Sequence, residues 1–291
     1  MKPMFDDTSP FDAQTIADPV VLQRTKGAAR CSFKLRGSKT VLDNLYQSGS
    51  FKVRLPNVAV GTAPEAVLLN TAGGLTGGDH LIFEGAVAGG AEAIFTTQAS
   101  ERAYRSLGGD AIVDTRLSAG ADSTLAWLPQ ETILFDGSRL KRRFDVTLAG
   151  NAKLLAHETV VFGRTAMGET VLQGAFSDFW RVSRDGQLIH ADAIRADGAL
   201  DDILSRAATL RGAKAVSTIF YAGNDAEAHL QAVRDLIDGL SPAKGIAGAS
   251  AWSGKLLFRL IATGSAAART MVEPVISQLR NGKPMPRVWA T

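Results

Sequence analysis

Asp79, Glu101, Glu131, Asp136, Glu158 and Glu169 stand in or beside stretches that read as β-strand, and these carboxylates are the side chains with the clearest chemical potential. Oxygen-rich surfaces bind hard divalent cations, and without thiolates or imidazoles alongside they also release them. Most of the six equally fit the plainer role of solvated turn residues. Other catalytic reagents are thin. His80, His157, His190 and His229 are scattered, with no HxH or HExxH spacing to make a zinc site. His80, beside Asp79, is the best placed for function. His157 and His190 fall in strands as structural histidines, and His229 falls on the surface of an amphipathic helix. No G-x-S-x-G elbow is present, and the acid-rich stretch 190–202 lacks the D-x-D-x-D-G pattern of a calcium loop. Cys31, the single cysteine, excludes an internal disulfide and any multi-cysteine metal site. It fits a small apolar side chain in a reducing cytoplasm.

The segment LLNTAGGLTGGDHL (68–81) crowds Gly73, Gly74, Gly77 and Gly78 together. It makes a poor phosphate cradle. A Walker loop ends in Lys followed by Ser or Thr, whereas this one ends in Gly78-Asp79, and Leu75 occupies the second glycine of a dinucleotide fingerprint. Asp79 at the mouth would repel phosphate besides. Two readings stay open: an elaborate turn between strands ending near Asn70 and starting near His80, or a surface that another backbone approaches very closely.

The elements that must position these residues are strands. FKVRLP at 51, HLIFEGAVA at 80 and KRRFDVTLA at 141 alternate apolar and polar residues, and strand-like stretches continue from about 28 to 222. RLKRRF (139–144), the densest basic patch, reads as the solvated face of a strand. GAEAIFTT, GADSTLAW and GNAKLLAH open on Gly90, Gly120 and Gly150, a spacing of 30 residues, with apolar Phe95, Leu125 and Leu155 at matching offsets. Stacked β coils produce such a repeat, although glycine turns in any all-β protein can resemble one another by chance. In that register Glu101 and Glu131 would be neighbours on adjacent coils, which is costly unless they are paired, hydrated or bridged by a cation.

Past residue 222 the period changes. NDAEAHLQAVRDLIDGL, capped by Asn224 or Asp225, sets Leu230, Val233, Ile237 and Leu240 along one helical stripe. AAARTMVEPVISQL carries Met271, Val272, Val275, Ile276 and Leu279, and Pro274 predicts a kink or a late start. KLLFRLIATG reads as a buried strand, and Trp289 in the proline-rich end is expected to tuck against the body. The expected fold is therefore mainly β, a β-helical stack of short strands with a few helices in the C-terminal part. A mobile acidic tail over 1–27, without the apolar core of a secretory signal, precedes one domain over 28–291. No apolar run reaches the length of a spanning helix. With 32 basic against 29 acidic residues and no long basic run interleaved with aromatics, neither nucleic acid nor membrane is an expected partner.

Several blocks together resemble one family. TAGGLTGGDHL (71–81), TTQASERAYRS (96–106) and LPQETILFDGSRLKRRFDVTLAGNAKLLAHETVVFGRTAMGE (128–169) are similar, in order and spacing, to the urease accessory proteins of the UreD family, also called UreH. YQSGSFKVRLP upstream and PRVWAT at the end look similar too, so the likeness runs from about Ala28 onwards. One departure is Ala72, where the family usually has a proline before the glycines; this loosens the turn slightly. The resemblance implies a coiled, mostly β fold and a cytoplasmic, non-enzymatic maturation factor for the nickel enzyme urease. Such a factor binds apo-urease, recruits a UreF-type accessory protein and, through that complex, docks a UreG-type GTPase carrying nickel. It implies no tightly bound cofactor, only nickel(II) in transit.

A scaffold that passes nickel on would trap the ion in a tight His/Cys site, whereas a hydrated carboxylate path lets it move. On this reading Asp79, Glu101, Glu131 and Glu158 line or gate the path, and Gly73, Gly74, Gly77 and Gly78 let a partner or a neighbouring coil come close. The alternative is a carbohydrate-active β-helix enzyme with paired acids about 5–10 Å apart in a groove. An aromatic share of 7% leaves few sugar-stacking rings and counts against it.

Overall fold

Strand formation follows the alternation seen in the sequence. The computed structural model describes residues 23–59, 61–164 and 167–290. The chain runs out along β1 (Lys26–Arg36) and back along β2 (Lys39–Gly49), then crosses the core to β3 (Phe51–Arg54) and β4 (Glu65–Asn70). From there it coils. β5 (His80–Val87), β6 (Glu92–Thr97) and β7 (Glu101–Ala103) make one turn, and β8 (Ala111–Ala119), β9 (Thr124–Trp127) and β10 (Thr132–Leu134) make the next. β11 (Arg139–Leu148) and β12 (Lys153–Phe162) follow, and β13 (Gln173–Arg184) with β14 (Gln187–Ala199) adds a hairpin. Of the tail expected over 1–27, residues 1–22 lie outside the described residues, while β1 already begins at Lys26.

The coils stack into two sheets. One has seven strands in the order β14-β13-β11-β8-β5-β1-β2, and its inner members pair in parallel. The second is built on β12-β9-β6-β4 in parallel with β3 at one edge. This is the mainly β, coiled architecture the sequence predicts. Between the sheets runs a line of rings. Phe33 meets Phe95 at 5.9 Å, Phe95 meets Phe83 at 5.4 Å, Phe83 stacks on Trp127 at 5.8 Å, and Phe144 joins Trp127 to Trp180 at 6.0 and 4.6 Å. Each turn thus contributes an aromatic side chain to one continuous core.

The spacing of 30 describes the turns and not the strands. Gly90 N donates to Ala121 O at 2.9 Å and Gly120 N to Val87 O at 2.8 Å, so the glycine turns do stack. In the strands, however, Ala93 lies opposite Leu125, and Leu125 opposite Leu154. The expected Phe95–Leu125–Leu155 ladder is not formed. Leu155 faces away from the core that holds Phe95 and Leu125. A one-residue slip reverses every side chain, and burial decides which register survives. On the solvated face of the first sheet, Arg181, Asp145, Arg116, Glu84 and Arg30 fall opposite one another on successive strands. Arg30 and Arg116 pair with Glu84 at 2.6 and 3.3 Å, a cross-strand alternation of sign that favours this register.

The rest of the chain extends the second sheet beyond β12 with three antiparallel strands and covers it with helices. The short helix α1 (Leu200–Ser205) interrupts the stretch read as strands, and β15 (Ala215–Ala222) is buried throughout. Helix α2 (Leu230–Asp238), strands β16 (Gly245–Trp252) and β17 (Lys255–Ala262) and helix α3 (Ser265–Leu279) follow. Met271, Val272, Val275, Ile276, Leu279 and Trp289 pack with Leu155, Val161, Ile219 and Phe258, so this sheet is buried on both faces. α3 starts well before Pro274 and passes through it, held by apolar contacts on either side, so the late start does not occur.

Two further expectations change. Asp225 does not cap α2, because its carboxylate accepts from Tyr221 Oη at 2.7 Å and Lys153 Nζ at 2.6 Å. His229 is not a surface residue; it lies in the preceding 3-10 turn, buried edge-on against Tyr221. No helix among the described residues is long and apolar enough to cross a membrane.

Candidate functional site

The glycine loop lies against the next turn of the solenoid. Leu75 N donates to Arg102 O and Tyr104 N to Leu75 O, both at 2.7 Å, and Gly78 N donates to Asp110 O at 3.0 Å. A Cβ on Gly74, whose φ is +151°, would stand 2.3 Å from the Tyr104 ring. One on Gly77 would meet the carbonyl oxygens of Gly108 and Gly109 at 2.4 and 2.5 Å. The close backbone neighbour is thus a coil of the same chain, and only glycine leaves room for it. Asp79 fastens the loop: its buried carboxylate accepts from Thr25 N at 2.7 Å and Thr76 N at 2.8 Å.

Beneath this loop, between the sheets, is a cavity of about 300 Å³. Exposed Thr71, Gly73, Gln98 and Arg102 mark its outer end, and Arg142, Glu158 and Asp178 lie at its inner end. Glu101 lines it near the mouth. Asn70 Nδ2 lies 3.3 Å from both Glu101 oxygens, and burial pushes the Glu101 carboxyl up to about 7. At the floor the Arg142 guanidinium bridges Glu158 and Asp178, with Nη2 2.5 Å from Asp178 Oδ2 and Nη1 3.1 Å from Thr132 Oγ1. Trp127 Nε1 donates to Glu158 at 2.8 Å and Trp180 Nε1 to Asp178 at 3.2 Å. Burial raises the Glu158 carboxyl above its ordinary range despite the adjacent guanidinium.

Of the four carboxylates singled out in the sequence, the structure therefore brings Glu101 and Glu158 to one cavity. Asp79 supports the loop above it. Glu131 is elsewhere: β7 and β10 place Glu101 opposite Thr132, and Glu131 turns to α3, where Ser265 Oγ donates to it at 2.7 Å. The stacked Glu101–Glu131 pair does not form, because the true offset exceeds 30 by one residue and sends the two side chains to opposite faces. His80 pairs with Asp114 at 2.9 Å on the solvated side. His157 is structural as expected, buried against Thr159 Oγ1 at 2.9 Å and held neutral because burial lowers its pKa to about 3.

Arg142 and Asp178 were absent from the sequence-based site. RLKRRF is not a wholly solvated face, since Arg142 points inward with Leu140 and Phe144. The alternation that places Leu140 and Phe144 in the core puts Arg142 in phase with them, and that was the available signal.

Glu101 supplies a measurable pH dependence. A carboxyl whose folded pKa exceeds its unfolded value binds its proton more tightly in the folded state. The folded protein therefore loses stability as pH rises from about 4.5 to about 7, and the loss is constant above that. Glu101→Gln is expected to stabilise the protein above neutrality by up to about 3 kcal/mol and to leave stability unchanged near pH 4. Urea midpoints across that range check it.

Coils and interior together define a β-solenoid with an internal, largely apolar cavity that Glu101, Glu158 and Asp178 reach. Comparison with known proteins narrows the class. The sequence model of the UreD urease accessory protein matches residues 25–290, and the chain belongs to that family. A urease accessory protein UreD from Rhizobium etli is 46% identical over 267 residues, covering 92% of this chain and 96% of its own. UreD proteins of Methylobacterium sp. (strain 4-46) and Agrobacterium fabrum are 44% and 41% identical, spanning 92% and 96% of this chain and 96% and 94% of their own lengths. Family membership displaces the carbohydrate-active reading.

Proposed function

We propose that this chain is a non-catalytic scaffold of urease maturation that binds apo-urease and a UreF-type accessory protein, docks a UreG-type GTPase through that complex, and gives nickel(II) an interior route to the urease active site. The role belongs in the cytoplasm. The observation that carries the route is the cavity of about 300 Å³ with Glu101 near its mouth and Glu158 at its floor. Its donors are oxygens. Among the described residues no group of three or more His, Cys, Asp or Glu side chains is arranged to hold a metal ion. An ion entering such a cavity meets weak, hydrated ligands and is free to leave. The crowded glycine loop and the Asp79 turn keep the mouth in shape.

The test is urease activation in cells carrying the urease structural and accessory genes, with and without this chain, at excess nickel. Activity and bound nickel are expected only when the chain is present; full activation without it overturns the scaffold role. Glu101→Gln is expected to lower urease nickel content severalfold while apo-urease and the UreF-type protein still co-purify. Unchanged nickel content overturns the route alone, and lost co-purification assigns Glu101 to an interface instead.

A further inference from the structure

The inner end of the cavity is closed by a charge cluster whose parts belong to a cation site. Glu158 and Thr132 direct oxygens at Nη1 of Arg142 and Asp178 directs one at Nη2, so the three surround the two tips of one guanidinium. Two carboxylates against one guanidinium leave the cluster short of positive charge. The Arg142 side chain is 8% exposed, and its Nε is buried without a hydrogen-bond partner, so only the tips of the fork are tied down. Beyond it lies a small void of about 10 Å³, lined by the same three charged residues together with Asp192 and Thr218. The guanidinium thus stands between the cavity and this void, whose Asp192 is itself paired with Arg259.

We propose that Arg142 is a tethered cation filling a latent divalent-cation site made by Glu158, Asp178 and Thr132, which an ion passing inward from the cavity must displace. The passage rests on the reading of the cavity as a nickel route, whereas the latent site rests on the geometry alone. Three oxygens completed by water suit a hard or borderline divalent ion. The neighbouring cavity, which Arg142 lines, gives the freed arginine room to swing. A resident arginine would keep ions from settling at the floor, so that each is passed on.

Arg142→Met in the full chain, co-purified with its UreF-type partner if solubility requires, should open the site. Nickel(II) titrated by calorimetry is expected to bind it at least about tenfold more tightly than it binds the unaltered chain. Nickel should also raise its thermal midpoint, and both effects should vanish in Arg142→Met/Glu158→Gln/Asp178→Asn. A folded R142M protein with no gain in nickel binding overturns the proposal, as does a gain that persists in the triple variant. If R142M does not fold, Arg142→Lys replaces it. There the shorter, unforked ammonium cannot hold both carboxylates and Thr132 at once, so nickel is expected to bind more tightly than to the unaltered chain; no gain there also overturns the proposal. In the activation assay R142M should retain nickel on this chain and deliver less to urease. Because the titration needs no urease, failure of the latent site and failure of the nickel route are read separately.

Discussion

Arg142→Ala is expected to lower the free energy of unfolding by about 3–5 kcal/mol, the largest effect of any single truncation in the cavity. The substitution strips the shared cation from Glu158 and Asp178, which are both buried. It also leaves Thr132 Oγ1 without its donor and opens a hole beside Phe176. The loss should depend on pH in a defined direction. Burial already raises the Glu158 carboxyl with the arginine in place, and removing the guanidinium pushes it higher still. A carboxyl with a raised folded pKa loses stability as pH rises, so the defect is smallest in acid, where one of the two acids takes a proton, and grows towards neutrality. Urea denaturation at several pH values measures this, and a defect independent of pH would refute the electrostatic account. Neutralising both acids together with Arg142→Met should recover much of the loss, since a cluster without charge has no ions to desolvate.

Gly77→Ala is expected to destabilise the protein by about 3 kcal/mol, with Gly73→Ala costing about 1 kcal/mol or less. Both lie in the same loop, so the contrast isolates the cause. At Gly77 the new methyl would meet Ser106 Oγ at 2.0 Å and the carbonyl oxygens of Gly108 and Gly109 at 2.4 and 2.5 Å. The serine can rotate away, but two backbone carbonyls cannot without moving residues 106–110. Gly73 has open space where its Cβ would stand, and its cost is only the strain of φ +79°. The shift at Gly77 should also break the Gly78 N–Asp110 O bond and slacken the Asp79 turn. Thermal midpoints of the two variants test this; equal destabilisation would mean that backbone conformation, and not the close approach of the next coil, governs the loop.

Much of the architecture was legible because solenoid strands repeat a simple constraint. His80–Val87 and Arg139–Leu148 alternate cleanly since one face meets the core and the other meets water. The amphipathic stripe of Leu230, Val233 and Ile237 marked α2, with Val233 buried beneath it. Residue type left the glycine loop open between an elaborate turn and a place of close approach, and the packing shows close approach. Its neighbour, the 102–110 segment, was not legible, because nothing local specifies which coil lies alongside.

The sequence by itself determined the class of fold and the family, since these depend on residue type and order. Tertiary structure decided the site. Coil-to-coil offsets differ from the glycine spacing by a residue or two, and in a pleated strand that parity sends Glu101 into the cavity and Glu131 towards α3. It also decided which charges are buried. Arg142, Glu158 and Asp178 come from three separate strands and meet only when β11 lies beside β13 in one sheet and faces β12 in the other. Local pattern records which face a side chain takes; the partners waiting on that face are set by how the coils stack.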